Sequence, residues 1–189
     1  GEFGPQWHQA ALKENRNKAY DDFIAVAEGL IASGLTSREH LGIRGGSNGG
    51  LLMGNMMVRR PDLFGAIVCQ VPLLDMKRYS HLLAGASWQA EYGNPDTSDW
   101  DFLRYYSAYH NIDLKAGENY PPMLMTTSTK DDRVHPYHAR SFVRRLQDVG
   151  CDNVLYYENI EGGHGGAADN KQIAFMTILY ISFLKKRLL

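Results

Sequence analysis

Three residues of this chain have the types and settings needed for nucleophilic catalysis: Ser47, Asp131 and His164. Ser47 stands in Gly45-Gly46-Ser47-Asn48-Gly49, between the apolar run Leu41-Gly42-Ile43 and the helix-like stretch Leu51-Leu52-Met53. A serine hydroxyl is a poor nucleophile unless a tight turn presents its oxygen to a base on one side and to substrate on the other. Glycines at 45 and 49 are expected because a Cβ at either place would strike the neighbouring strand or helix. His164 lies in Glu161-Gly162-Gly163-His164-Gly165-Gly166. Four glycines around one imidazole give it no packing role and let its loop approach another backbone, which suits a general base. Asp131 lies in the polar turn Thr129-Lys130-Asp131-Asp132-Arg133-Val134, after the apolar run 123–128. An acid there can orient the imidazole. Each signal has a plainer reading, a flexible glycine loop for His164 and a charge pair ahead of a helix for Asp131-Asp132. Their order, serine then acid then histidine, favours the joint reading.

The elements that must hold these groups alternate. Strands are expected near 41–45, 66–71, 123–128 and 154–158, and helices near 17–33, 49–59, 137–149 and 170–187. Such alternation predicts a mostly parallel sheet flanked by helices. Ligands of these folds gather at the carboxyl ends of the strands, where all three candidates fall. G-x-S-x-G in a strand–turn–helix setting, followed by an acid and then a histidine, is the arrangement of the α/β-hydrolases. In the first of the long helices Tyr20, Phe23, Ile24, Ala27, Leu30 and Ile31 recur at helical spacing, and Gly34 stops it. Leu51, Leu52, Met53, Met56 and Met57 make the helix behind the serine apolar nearly all round, as expected of core. Gly50 and Gly54 would let it approach a strand closely. Thr36-Ser37-Arg38-Glu39 reads as a short capped turn. The final helix is apolar too, but it is short and interrupted for a membrane span and is expected against the sheet.

With these residues in view, the chain resembles the prolyl oligopeptidase (S9) family of serine peptidases over essentially its whole length. The likeness rests on Gly1-Glu2-Phe3-Gly4, Trp7-His8, Asp21-Asp22-Phe23, Gly45-Gly46-Ser47-Asn48-Gly49-Gly50 and Arg60-Pro61-Asp62-Leu63-Phe64-Gly65. It continues in Gln70-Val71, Asp75-Met76, Trp88, Tyr92-Gly93, Asp131-Asp132-Arg133-Val134 and Gly163-His164-Gly165. The resemblance implies that Ser47 is the nucleophile, His164 the base and then the acid, and Asp131 the residue that orients it. It implies that the Asn48 N–H donates to the oxyanion and that Trp88 stacks on a substrate proline ring. Tyr92, Val134 and Leu73 would be further walls of that pocket, and Arg133 would hold a substrate carbonyl. A flat indole suits a flat pyrrolidine, and an apolar slot rejects charge. The implied activity is cleavage on the carboxyl side of proline in short peptides through an acyl-enzyme, without cofactor or metal. An esterase of the same fold, or a non-catalytic structural or interaction module, are the rival readings.

About four strands, where a complete α/β-hydrolase has about eight, predict that residues 1–189 are one partial catalytic domain. The resemblance then implies that the first strands, a tyrosine donor to the oxyanion and a β-propeller lie outside it. Strand 41–45 would be left as an open edge, favouring self-association or marginal stability. With 20 basic and 21 acidic residues and no basic stripe, the many aromatics between 72 and 122 do not read as a nucleic-acid surface. They are expected to shape a pocket over the strand ends. His135 and His138 at i, i+3 raise a metal site, but no further ligand completes it apart from the assigned Asp131-Asp132. Cys69 and Cys151 make no disulfide framework and are read as free thiols, in keeping with a reducing, cytoplasmic setting. No signal peptide, repeat or low-complexity tract is visible.

Overall fold

The computed structural model describes residues 2–113 and 119–189. Gly1 of the N-terminal motif and residues 114–118 of the aromatic excursion lie outside the described residues. Four strands, β1 (Gly42–Gly46), β2 (Ala66–Gln70), β3 (Met123–Ser128) and β4 (Val154–Asn159), pair in parallel in the order β1-β2-β3-β4. The helices are α1 (Pro5–Gln9), α2 (Asn17–Ala32), α3 (Asn48–Arg59), α4 (Gln89–Tyr92), α5 (Trp100–Leu103), α6 (Tyr137–Asp148) and α7 (Asn170–Leu188). The eight expected elements are present, with ends shifted by at most one residue.

Alternate side chains of a strand point to opposite faces, and both faces here are covered. Ile43, Ile67, Cys69, Met123 and Met125 join the main core with Leu51, Met53, Met56 and Met57 of α3 and Phe142 and Leu146 of α6. Ala66, Val68 and Leu124 face the other way, onto Phe183 of α7. All six residues of β3 are buried, as a central parallel strand requires. Met53, Met56 and Met57 are core, as their setting predicted.

Three expectations need correction or refinement. A Cβ on Gly45 would come 2.4 Å from the Gly49 carbonyl oxygen, so Gly45 does carry the close approach, but a Cβ on Gly49 would meet nothing within 4 Å. The second contact belongs to Gly50, whose Cβ would lie 2.6 Å from Pro72. The turn after Ser37 is a 3₁₀ turn, Arg38–His40, without a side-chain cap. Only Met176 and Phe183 of α7 are buried, whereas Ile173, Phe175, Ile178 and Ile181 are about half exposed, so α7 covers the sheet with one face and leaves an apolar face open.

The excursion over the strand ends consists of short helical turns at 79–81, 83–88, 104–106 and 108–111 together with α4 and α5. Its backbone is tied to the core rather than looped freely: the Tyr109 N–H donates to the Leu74 carbonyl at 3.0 Å.

Candidate active site

Parallel strands bring their carboxyl ends to one edge of the sheet, so the segments after β1, β3 and β4 converge there. Ser47 follows β1 and caps α3 with φ 59° and ψ −117°. That conformation is strained for a residue with a side chain and is held from both sides. The Ser47 N–H donates to the Gln70 carbonyl at 2.9 Å, and its carbonyl accepts from the Leu51 N–H at 3.1 Å. The residue after β2, Val71, also has a positive φ, 39°, and its N–H donates to the Thr126 carbonyl at 2.7 Å.

Asp131 follows β3 with its carboxylate sealed from solvent. Its Oδ1 accepts the N–H groups of Arg133 and Val134, each at 2.9 Å, which fixes the plane of the carboxylate. Its Oδ2 faces His164 Nδ1 at 2.8 Å, and His164 Nε2 faces Ser47 Oγ at 3.0 Å. With Nδ1–H donating to the carboxylate, Nε2 carries the lone pair that accepts from the serine hydroxyl. Asp132, the other acid of the pair, is exposed and makes neither contact. The structure therefore brings Ser47, Asp131 and His164 into one hydrogen-bonded chain.

The histidine loop has a brace that sequence reasoning missed. Asn159, the last residue of β4, accepts the N–H groups of Glu161 and Gly162 at 2.9 and 3.1 Å. Its amide donates to the Gly166 carbonyl at 3.0 Å and to Gln172 Oε1 at 2.8 Å. Every polar atom of this buried side chain thus holds the loop around His164. An asparagine ending a strand before a glycine-rich loop was the available signal.

Asn48 is the first residue of α3, and its N–H makes no backbone hydrogen bond among the described residues. A free amide at a helix N-terminus, beside the nucleophile, is suited to a developing negative charge. Next to it opens a cavity of about 210 Å³ lined by Ser47, Asn48, Leu73, Trp88, Glu91, Tyr92 and Arg133. Trp88 is half-buried, and Arg133 is exposed, with no ion pair to the described residues. Burial pushes the Tyr92 phenol well above its ordinary range, so it stays protonated and donates to Asn48 Oδ1 at 2.7 Å. Val134 does not line this cavity: it is 2% exposed and its side chain packs in the main core, while the neighbouring Arg133 is exposed at the cavity. Ser47 and His164 also border a cavity of about 330 Å³ on the side of α7, with Arg44, Gln70 and Tyr180.

The paired histidines both accept backbone N–H groups. His138 Nδ1 accepts the N–H groups of Leu74 and Asp75 at 3.3 and 3.1 Å, and His135 Nδ1 accepts that of Tyr137 at 3.0 Å. Among the described residues no cluster of three His, Cys, Asp or Glu is placed to hold a metal ion. Cys69 and Cys151 are both free and buried. None of the described helices is long and apolar enough to cross a membrane.

Residues 1–188 match the sequence pattern of the prolyl oligopeptidase family. The chain belongs to that family. An uncharacterised peptidase of Sinorhizobium fredii is 55% identical over 190 residues, covering 100% of this chain and 26% of its own length. The prolyl endopeptidase of Elizabethkingia miricola is 39% identical over 187 residues, covering 97% of this chain and 26% of its own. The solved post-proline cleaving enzyme of Rickettsia typhi superposes with a TM-score of 0.96 at 43% identity, covering 100% of this chain and 27% of that one. The fold is thus that of the family's α/β-hydrolase domain, and the chain spans about a quarter of the length of these relatives.

Proposed function

We propose that residues 1–189 form part of the catalytic α/β-hydrolase domain of a serine peptidase that cleaves short peptides after proline. The observation that carries this reading is the chain of contacts from Asp131 through His164 to Ser47, ending beside a cavity walled by Trp88 and Tyr92. His164 Nε2 takes the proton of the Ser47 hydroxyl as Oγ attacks the scissile carbonyl carbon. The resulting oxyanion accepts from the Asn48 N–H at the positive end of α3. Asp131 keeps the imidazole oriented and offsets the imidazolium charge without taking the proton. His164 then returns the proton to the leaving amine, and an ester between Ser47 and the peptide remains. Water deprotonated by the same nitrogen hydrolyses that ester.

The Trp88 face and the cavity size favour a proline ring ahead of the scissile bond, and the exposed Arg133 guanidinium, without an ion pair among the described residues, suits a substrate carbonyl. The relatives named prolyl endopeptidase and post-proline cleaving enzyme agree with this choice. The open β1 edge and the bare face of α7 make a second copy of the chain a further partner, to be sought by sedimentation.

The test is the intact mass of the chain after incubation with a fluorophosphonate, beside Ser47→Ala. One adduct that vanishes in the variant is expected. A folded chain without an adduct would overturn the hydrolase reading, and labelling without any preference for proline-bearing probes would leave the esterase.

A further inference from the structure

Arg16 lies just before α2 and is 8% exposed. Its guanidinium reaches three residues that border the cavity beside Ser47. One Nη donates to Asn48 Oδ1 at 2.6 Å, the other pairs with the Glu91 carboxylate, and Cζ sits 5.0 Å from the centre of the Tyr92 ring. Tyr92 donates to the same Asn48 oxygen at 2.7 Å, and Glu91 also pairs with His8 at 3.0 Å. These partners come from places 32 and 75 positions away along the chain.

A buried charge pair is a weak source of stability, because desolvation offsets most of its attraction. What a planar guanidinium supplies is direction, through donors in a rigid fork. Here the fork spans the residue that follows the nucleophile and the helix α4 that walls the cavity. The Asn48 side chain is held by two donors on one oxygen, so the backbone of residue 48 has little freedom to turn its N–H away.

We infer that Arg16 is a positioning residue of this active site: through Asn48 it fixes the amide that receives the oxyanion, and through Glu91 and Tyr92 it fixes the wall beside it. The inference rests on the hydrolase reading above. Arg16 makes no hydrogen bond or ion pair to Ser47, Asp131 or His164 among the described residues, so its effect on the oxyanion amide must pass through the side chain of Asn48.

The rate at which a fluorophosphonate labels Ser47 tests this in wild type, Arg16→Met, Asn48→Ala and the double variant. Asn48→Ala keeps the backbone N–H and removes the side-chain acceptor that Arg16 and Tyr92 share. Loss of an oxyanion donor costs about 10²–10³ in rate, so a displaced donor should cost about tenfold. Arg16→Met and Asn48→Ala are each expected to slow labelling by about that factor, and the double variant no further than the worse single one, because both act through one contact. A general loss of packing would instead multiply. Arg16→Lys, which keeps the charge without the fork, should slow labelling severalfold and serves if Arg16→Met does not fold. Wild-type rates in Arg16→Lys or Arg16→Met, or effects that multiply, would overturn the role of Arg16 alone. A folded wild type that is never labelled would remove the hydrolase reading and this role with it.

Discussion

Ser47 Oγ lies 3.0 Å from His164 Nε2, although 117 positions of chain separate them. No local element spans that gap. The contact exists because β1 and β4 run parallel, with β2 and β3 between them, so that their following loops leave the same edge of the sheet. The glycines around His164 then let its loop cross back over the strand ends towards the elbow, and Asn159 holds the loop in that course.

Asp131 controls which imidazole nitrogen faces the serine. An asparagine there can present its N–H₂ to Nδ1, forcing the proton onto Nε2 and leaving Ser47 without an acceptor. Asp131→Asn should therefore slow fluorophosphonate labelling of Ser47 by roughly 10³–10⁴-fold with little change in fold. Intact-mass kinetics measure it, and a loss of less than tenfold would exclude the orienting role.

The two glycines of the elbow should behave oppositely. A Cβ on Gly45 meets backbone, 2.4 Å from the Gly49 oxygen and 2.7 Å from its carbonyl carbon, and backbone cannot step aside. Gly45→Ala is expected to destabilise the chain by about 1–3 kcal/mol or more, as overpacking does. Gly49→Ala meets open space inside a helix and should be neutral or stabilising by up to about 1 kcal/mol. Urea unfolding of the two variants distinguishes them.

That contrast marks what the sequence makes legible. Periodicity located the eight main elements, because buried strands and amphipathic helices write their packing into local patterns. The triad was legible because each member sits in a turn with its own composition. Which glycine of Gly45, Gly49 and Gly50 meets a neighbour was not, since it depends on how α3 crosses β1 and on where Pro72 falls. Val134 was placed in the pocket by likeness alone, whereas its side chain packs in the main core, a matter of tertiary contacts that no local pattern records. Arg16 carried no signal at all, because its partners Asn48 and Glu91 belong to distant segments.

The proposed proline pocket assigns Trp88 a role in specificity rather than in the chemical step. It lines the cavity beside Ser47, which His164 and Asp131 do not line, and takes no part in the hydrogen bonds that link Ser47, His164 and Asp131. Trp88→Ala should leave labelling by a small fluorophosphonate within about threefold of wild type, since nothing in the oxyanion site changes. Labelling by a proline-based acylating probe should fall by about 10–100-fold, the range expected for losing a stacked aromatic contact worth about 1–3 kcal/mol. An equal loss with both probes would assign Trp88 a structural role instead.

His138 gives the fold a pH dependence of definite sign. It is buried behind the segment that carries Leu73, and its Nδ1 already accepts two N–H groups, so a proton there would oppose both. Burial holds its pKa down to about 4, against the pull of Asp75 and Asp131 and with His135 adding to the depression. The unfolded chain takes up a proton near pH 6.5, whereas the folded chain resists it until about pH 4. Between those values the unfolded state binds more protons, so stability is full above pH 6.5 and falls as pH drops towards 4. The whole span is worth about 3 kcal/mol at 1.36 kcal/mol per pKa unit. His138→Asn, whose Oδ1 can accept the same N–H groups, should flatten the dependence in that window while remaining folded. Urea unfolding of both proteins from pH 4 to 7.5 measures it, and parallel curves would mean that His138 titrates freely in the folded state.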